Sequence, residues 1–473
     1  EDKEMKKNII IAAIAAASAL LLSVSCQKEN QPESQSGING GANTFTATIE
    51  QGLTKTTITS DYKVNWTSAD KININGKSYT ATPKDDATKA DFTADDGEAT
   101  PDGNNKYKAI YPSTLYANGH FELPATQTYS ANGFNAPMYA ESETQTLSFK
   151  NICAVLAITV TSADIPTLKS IKVKSDKAMY GTFTVTDNKA VLADATDAGK
   201  AVTLESASPL TLDATGTTFY IAIPEQTYSY LKIYLSEDGT LYKRAMITKK
   251  TVGTISCNKI YSIDYETNAV QLYANGPYWS TMNIGATTET GFGLYFGWGE
   301  KTGHALTATA AGSTFDGTTI NNAFEGTYNF STNPTIDDST QDPATLPASN
   351  DAATVNWGAG WRMPTGNEGE FKALNDNTES DWTDDYNSTG VKGRTFTGKK
   401  GTPDYSDITL FFPAAGRGNG TSLNSAGSNG YYWSSSLYSS PFNAYRLNFG
   451  SSLVNPQIFS GRYFGFSVRP VSD

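Results

Sequence analysis

From Phe45 to Tyr265 the chain alternates short apolar runs with polar punctuation. Leu231-Lys232-Ile233-Tyr234-Leu235 and Ile171-Lys172-Val173 repeat with period two, which sends successive side chains to opposite faces of a strand. Cys153 to Val160 is a longer apolar run and predicts a strand buried, at least in part, on both faces. Asp102-Gly103, Asn132-Gly133 and Asp238-Gly239 are turn dipeptides, because Asn, Asp and Gly tolerate the positive φ that tight hairpins need. Long stretches with helical periodicity are missing from this part. Many short strands at regular spacing predict β-sandwiches.

A weak internal echo suggests how many. The run Tyr107-Lys108-Ala109-Ile110-Tyr111-Pro112 is followed by Gln127-Thr128-Tyr129, and Phe219-Tyr220-Ile221-Ala222-Ile223-Pro224 by Gln226-Thr227-Tyr228. An apolar strand closed by proline, with Gln-Thr-Tyr after it, occurs in both. Two sandwich units follow from this, residues 44–163 and 164–267, split near Ser162 to Pro166.

Several segments in this region, in order, carry a family resemblance. They are Thr54-Lys55-Thr56, Val64-Asn65-Trp66, Ala69-Asp70-Lys71-Ile72, Ala109-Ile110-Tyr111-Pro112, Ala136-Pro137-Met138, Phe149-Lys150-Asn151-Ile152-Cys153 and Lys259-Ile260-Tyr261-Ser262-Ile263. The region resembles the fimbrillin-like proteins, the major and minor fimbrial subunits of Bacteroidetes. The resemblance implies two transthyretin-like sandwiches and subunits that join by exchanging strands, one chain completing the open sheet of the next. It also implies trimming of the N-terminus by a trypsin-like protease, with Lys55 at about the right place. The plain reading of Lys55 is a solvated lysine on an edge strand.

After Tyr265 the composition shifts. Trp279, Trp298, Trp357, Trp361, Trp382 and Trp433 all fall here, against Trp66 alone before. The boundary is placed near Asn268, giving a separate domain over 268–473. Tyr278 to Ala286, Gly293 to Glu300, Trp361-Arg362-Met363-Pro364-Thr365, Phe412 to Gly416, Gly430 to Ser436 and Gly465 to Val471 resemble the Fibrobacter major paralogous domain, which is similar to C-type-lectin-like folds. The expected fold class is therefore mainly β: two transthyretin-like β-sandwiches followed by an α+β C-type-lectin-like domain. Within the domain, Thr365 with Glu368 reads as a capping box before a short helix that buries Phe371 and Leu374. Trp361 and Trp433 read as core. Arg362 and Arg469 have Glu370 and Glu300 as prospective partners.

Loops carry function more often than cores do. The polar run Arg417 to Asn429, just before the Trp433 strand, supplies the candidate ligand residues Arg417, Asn419, Asn424 and Asn429, with Tyr405 and Tyr438 as stacking faces for a sugar. The plainer reading is a solvated loop without a ligand.

The start of the chain reads as an address. Lys6 and Lys7 precede an apolar stretch from Ile9 to Leu22, then Ser23-Val24-Ser25-Cys26. This is the order of a secretory signal peptide, residues 5–25, and its apolar core is short for a membrane span. Cys26 followed by polar residues resembles a bacterial lipoprotein signal, which implies lipidation of Cys26 and anchoring at the outer membrane or cell surface. The alternative is a plain signal peptide with an incidental cysteine. Residues 26–43, rich in Gln, Ser, Gly and Asn, read as a flexible tether.

Charge and chemistry narrow the function. The net charge is −12 with no basic stripe, which argues against nucleic acid as a partner. The chain has 2 His and 3 Cys, so a His-based acid–base site or a His-rich metal site would have to be built from His120 and His304 alone. Cys153 and Cys257 read as buried thiols about as readily as a disulfide. Asp337-Asp338 and Asp384-Asp385 read as solvated acidic turns, and lectin-type calcium motifs are absent. Neither an enzyme nor a cofactor is expected. The expectation is a lipid-anchored surface protein, a pilus tip or accessory subunit adhering through its last domain. Its partners would be other pilin subunits and a host or microbial surface glycan or protein. The alternative is a glycan-binding surface lipoprotein that does not polymerise.

Overall fold

A computed structural model describes residues 42–50, 54–55, 65–131, 134–192, 197–263, 266–307, 323–325, 328–331, 345–439 and 442–473. The signal segment, Cys26, most of the tether, Asn132-Gly133 and Asp337-Asp338 lie outside these residues. The fold is mainly β, with the short helices Ala352–Trp357 and Glu370–Asn377 in its last third.

The first body differs from the expected sandwich. Thr44–Ile49 pairs antiparallel with Lys89–Ala94 and parallel with Thr146–Asn151. One strand thus joins both edges, and the sheet closes into a barrel. Alternation along Thr44–Ile49 aims Phe45, Ala47 and Ile49 inward, where Trp66 packs edge-on against Phe92, Tyr111 and Phe149. The Tyr79 hydroxyl, buried among them, donates to Ala42 O and accepts from Ala99 N.

The second body has two sheets, and it draws Ala154–Val160 from before the split expected near Ser162 to Pro166. One sheet runs Thr217–Ile223, Ala154–Val160, Lys259–Ser262 and Thr54–Lys55. The other contains Thr167–Ser175, Ala201–Thr211, Leu231–Ser236 and Tyr242–Thr248. Leu156, Ile158, Phe219 and Ile221 from the first pack with Ile171, Val173, Leu231 and Ile233 from the second in one core. The bodies are interlocked, not simply joined. Thr126–Thr128 leaves the barrel to pair with Ala201–Thr211, while Gly181–Thr186 pairs back onto His120–Leu123. Gln127 ties this crossing in both directions: its Nε2 donates to Ala222 O and its Oε1 accepts from Ala222 N.

The sheet of the second body also runs through the boundary placed at Asn268. Glu266–Val270 pairs with Tyr242–Thr248 on one side and with Tyr278–Ser280 on the other, and Val471–Ser472 follows. The C-terminal domain is thus built onto that sheet. Trp361 adds a second tie, its Nε1 donating to Thr248 O at 3.1 Å. Trp361 and Trp433 are both core, as their surroundings in the sequence suggest. Trp298 Nε1 donates to Ser434 O and Trp433 Nε1 to Phe296 O, so these indoles bridge strands as well as fill space.

The capping box takes another form. Helix Glu370–Asn377 has Gly369 at its N-cap, and the Thr365 hydroxyl pairs with the Glu370 carboxylate instead of Glu368. Glu368 accepts from Gln457 Nε2. Phe371 and Leu374 are buried, as the pattern predicts. Arg362 bridges Glu370 at 2.7 Å and Asp473 at 2.6 Å. Arg469 donates to Asn283 Oδ1 and Ser280 O and lies over the Phe412 ring, not against Glu300 or Glu370.

Candidate functional site

The polar run after Gly416 is folded, not loose. Arg417–Asn419 and Ser422–Asn424 form a hairpin with Arg417 opposite Asn424 and Asn419 opposite Ser422. Gly420 makes the turn at φ +60°, a conformation that favours glycine. Residues of turn type hid these strands from a reading by pattern. Asn419 and Asn424 are exposed, so both amides face solvent. Asn429 is partly buried and holds the following turn: its N–H donates to Ser425 O and its carbonyl accepts from Gly416 N.

The two tyrosines do not join this site as stacking faces. Tyr405 is 4 % exposed and donates to Gln271 Oε1, so its ring is closed to a ligand. Tyr438 is partly buried and stacks on Phe459 with ring centroids 3.8 Å apart. The exposed aromatic surface of the domain lies instead at Phe442, Phe459 and Tyr463. Tyr463 packs against Phe464 at 4.4 Å.

Beneath the hairpin sits a residue that the sequence reading missed. Arg446 is 6 % exposed, in strand Asn443–Phe449. Its guanidinium lies 4.9 Å from the Tyr431 ring centroid, and that of Arg417 lies 5.5 Å from the same ring. Arg417 also sits 4.9 Å from Phe464, and Arg446 sits 5.6 Å from Phe466. Two cations thus share one aromatic bed, an arrangement favoured by ring quadrupoles and opposed by like charge. Burial, with the Arg417 charge nearby, pushes Arg446 down to about 10. The signal in sequence was an arginine at the same alternation phase as buried Ala444.

Two clefts lie elsewhere. One of about 610 Å³, where the barrel meets Gly181–Thr186, has Tyr116, Phe121, Tyr139 and Phe183 as its apolar lining. Its charged residues are paired: Lys108 with Asp102, and Glu141 with Lys106 and the Tyr139 hydroxyl. The other, of about 260 Å³, lies in the second body and is lined by Leu156, Leu231, Val252, Ile255 and Ile263. Close by in the same sheet, Thr54–Lys55 pairs in parallel with Lys259–Ser262, Lys55 opposite Ile260. Lys55 therefore stands on an edge strand.

Cys153 and Cys257 are free thiols. Burial pushes Cys153 well up and Cys257 up to about 12, so neither is a ready nucleophile. Among the described residues no group of three His, Cys, Asp or Glu side chains gathers to hold a metal ion. Asp384 accepts from Trp382 Nε1, and Asp385 accepts from Gly390 N.

Comparison with known proteins adds the following. Residues 401–471, which include the hairpin and Arg446, match a family described as a domain of unknown function (DUF8237). No curated protein matches the chain. Among solved structures, the chain is similar to a "putative cell adhesion protein" from Bacteroides ovatus, with 13 % identity over 49 % of this chain and 97 % of that one and a TM-score of 0.29. It is also similar to one of the same description from Bacteroides uniformis, with 14 % identity over 47 % of this chain and 91 % of that one and a TM-score of 0.29.

Proposed function

We propose that this is a lipid-anchored surface protein that assembles through its N-terminal bodies and adheres through its C-terminal domain. The observation that carries the assembly half is the edge of the second body. Strand Lys259–Ser262 is covered on its outer side by the two residues Thr54–Lys55, which come from far upstream in the chain. A cut after Lys55 severs that short strand, together with the barrel-closing strand Thr44–Ile49, from the rest of the chain, so that both are held by pairing alone. An exposed edge of this kind accepts a strand from another chain, main-chain hydrogen bonds supplying affinity and adjacent pockets supplying specificity. The apolar cleft at Leu156, Leu231 and Ile263 offers such a pocket. Binding, not turnover, is the work that this arrangement supports.

Limited digestion with trypsin tests the assembly. Protein cut after Lys55 is expected to form ladders on denaturing gels run without boiling, and Lys55→Ala is expected to abolish both the cut and the ladder. Cut protein that stays monomeric would favour the free-standing glycan-binding lipoprotein instead. The anchor has its own test. Cells fed a palmitate analogue should label the wild-type chain and not Cys26→Ala; equal labelling rules the anchor out.

A further inference from the structure

We propose that the solvent-facing aromatic strip formed by Phe459 and Tyr463 is the ligand face of the C-terminal domain, and that its ligand is a neutral glycan chain whose sugar rings stack on those side chains. This rests on the adhesive reading given above and names its ligand class.

Exposure marks the place. Among the described residues the exposed aromatic side chains are Phe442, Phe459 and Tyr463, all between positions 442 and 463. Large apolar rings gathered in water at one place mark a contact surface. Two of them share one face. Phe459 stands opposite Tyr445 in the hairpin register, and Tyr438 backs the Phe459 ring with centroids 3.8 Å apart. Gly461 is two residues further along the strand and so turns to the same side. A Cβ there would come within 2.6 Å of the Tyr463 ring, which therefore lies over Gly461, next to Phe459. Ser460, between them, turns to the inner face, where its Oγ accepts from buried Arg446. The strip stops at Tyr445, which packs against Gly366. Phe459 and Tyr463 are 41 % and 40 % exposed, so a ligand reaches both.

The charge of this surface selects the ligand. From Tyr438 to Tyr463 the chain has no acidic residue, and its charged side chains, Arg446 and Arg462, are 6 % and 5 % exposed. A segment with no exposed cation has nothing to hold an anionic headgroup or an acidic sugar, and with no exposed charge of either sign it gives a protein partner no electrostatic match. A carboxylate does meet the strip at its polar flank: Glu368 accepts from Gln457 Nε2 at 2.6 Å, and its charge repels anions. Flat rings flanked by the amides of Gln457 and of Asn443, opposite Gly461, suit a neutral sugar. The apolar C–H face of a pyranose lies on an aromatic ring, and amides pair with its hydroxyls.

The test is calorimetric titration of the full chain with cellohexaose, mannohexaose and xylohexaose as neutral chains, hexagalacturonate as the acidic one and glucose as the single ring. Binding of at least one neutral hexasaccharide is expected, with glucose and hexagalacturonate far weaker. Phe459→Ala and Tyr463→Ala, at exposed positions, should each weaken it about tenfold, the worth of one stacked ring, with an unfolding midpoint close to that of the wild type. Phe459→Trp should keep the binding, while Phe459→Leu, apolar but not flat, should lose it as alanine does. Silence with all three neutral chains, equal binding of hexagalacturonate, full binding by Phe459→Leu, or indifference to both alanine variants would each overturn the inference. So would a dimer in analytical ultracentrifugation that Phe459→Ala dissolves, since the strip would then face a second copy. Cell adhesion separates the two readings. Adhesion that ignores Phe459→Ala sinks this site and leaves the adhesive reading standing. Glycan binding through Phe459 without adhesion does the reverse.

Discussion

Trp433→Ala should destabilise the C-terminal domain by about 3–5 kcal/mol, the range for truncating a large buried aromatic side chain. The indole is fully buried and packs on Phe466 with ring centroids 4.1 Å apart. Its Nε1 donates to Phe296 O at 2.8 Å, reaching past the intervening strand Phe466–Ser467. Alanine removes the ring and leaves that carbonyl without its donor in a place closed to water. Trp433→Phe loses the bond but keeps most of the packing, so its cost should be clearly smaller. Urea unfolding followed by circular dichroism measures both. A loss under about 1 kcal/mol for alanine would mean that the site collapses around the gap, against the rigid packing argued here. Arg446 lies one strand away, so the same variant should also loosen the arginine pair over Tyr431.

Much of this core was legible. Trp361, Trp433, Phe371 and Leu374 read as buried because aromatic and apolar residues at strand or helix spacing have few other places to go. The Gln-Thr-Tyr echo also has a structural meaning, for Thr126–Thr128 and Gln226–Tyr228 are each short strands after a proline. Closure of the first body was not legible. It depends on Thr44–Ile49 meeting Thr146–Asn151, a pairing of segments about a hundred residues apart that no local pattern encodes. The candidate site was half legible. Arg417, Asn419 and Asn424 lie together on one hairpin, but Tyr405 is closed off by its bond to Gln271, a contact 134 positions away in sequence. Arg446 escaped notice because charge usually marks a solvated face, and here the face is covered.

The same covering explains Lys232, where the sequence pattern misleads most. Alternation in Leu231–Ser236 gives Leu231, Ile233 and Leu235 to the sandwich core and would leave Lys232 and Tyr234 in water. Every residue of this strand is buried, because the C-terminal domain lies over the outer face and takes Tyr234 into its own core. Lys232 donates to Asp473 O at 2.7 Å and stands opposite Lys174 in the register. Burial lowers its pKa from 10.5 to about 8; Asp473 opposes the shift, while Lys174 and Arg362 add to it. Between those two values the unfolded chain keeps a proton that the folded chain has lost, so this site makes stability rise with pH across that window. Below about 8 both states are charged, and the cost of the buried charge is present in full. Lys232→Met removes the titration. Relative to that variant, the wild type should gain stability from pH 8 to 10.5, by roughly 3 kcal/mol as an upper bound at about 1.4 kcal/mol per unit of pKa. Urea unfolding of both proteins at several pH values reads this as a difference, in which the tyrosines and thiols common to the two cancel. Parallel curves would mean that Lys232 titrates as an exposed lysine, and that the C-terminal domain does not seal the sheet on which it is built.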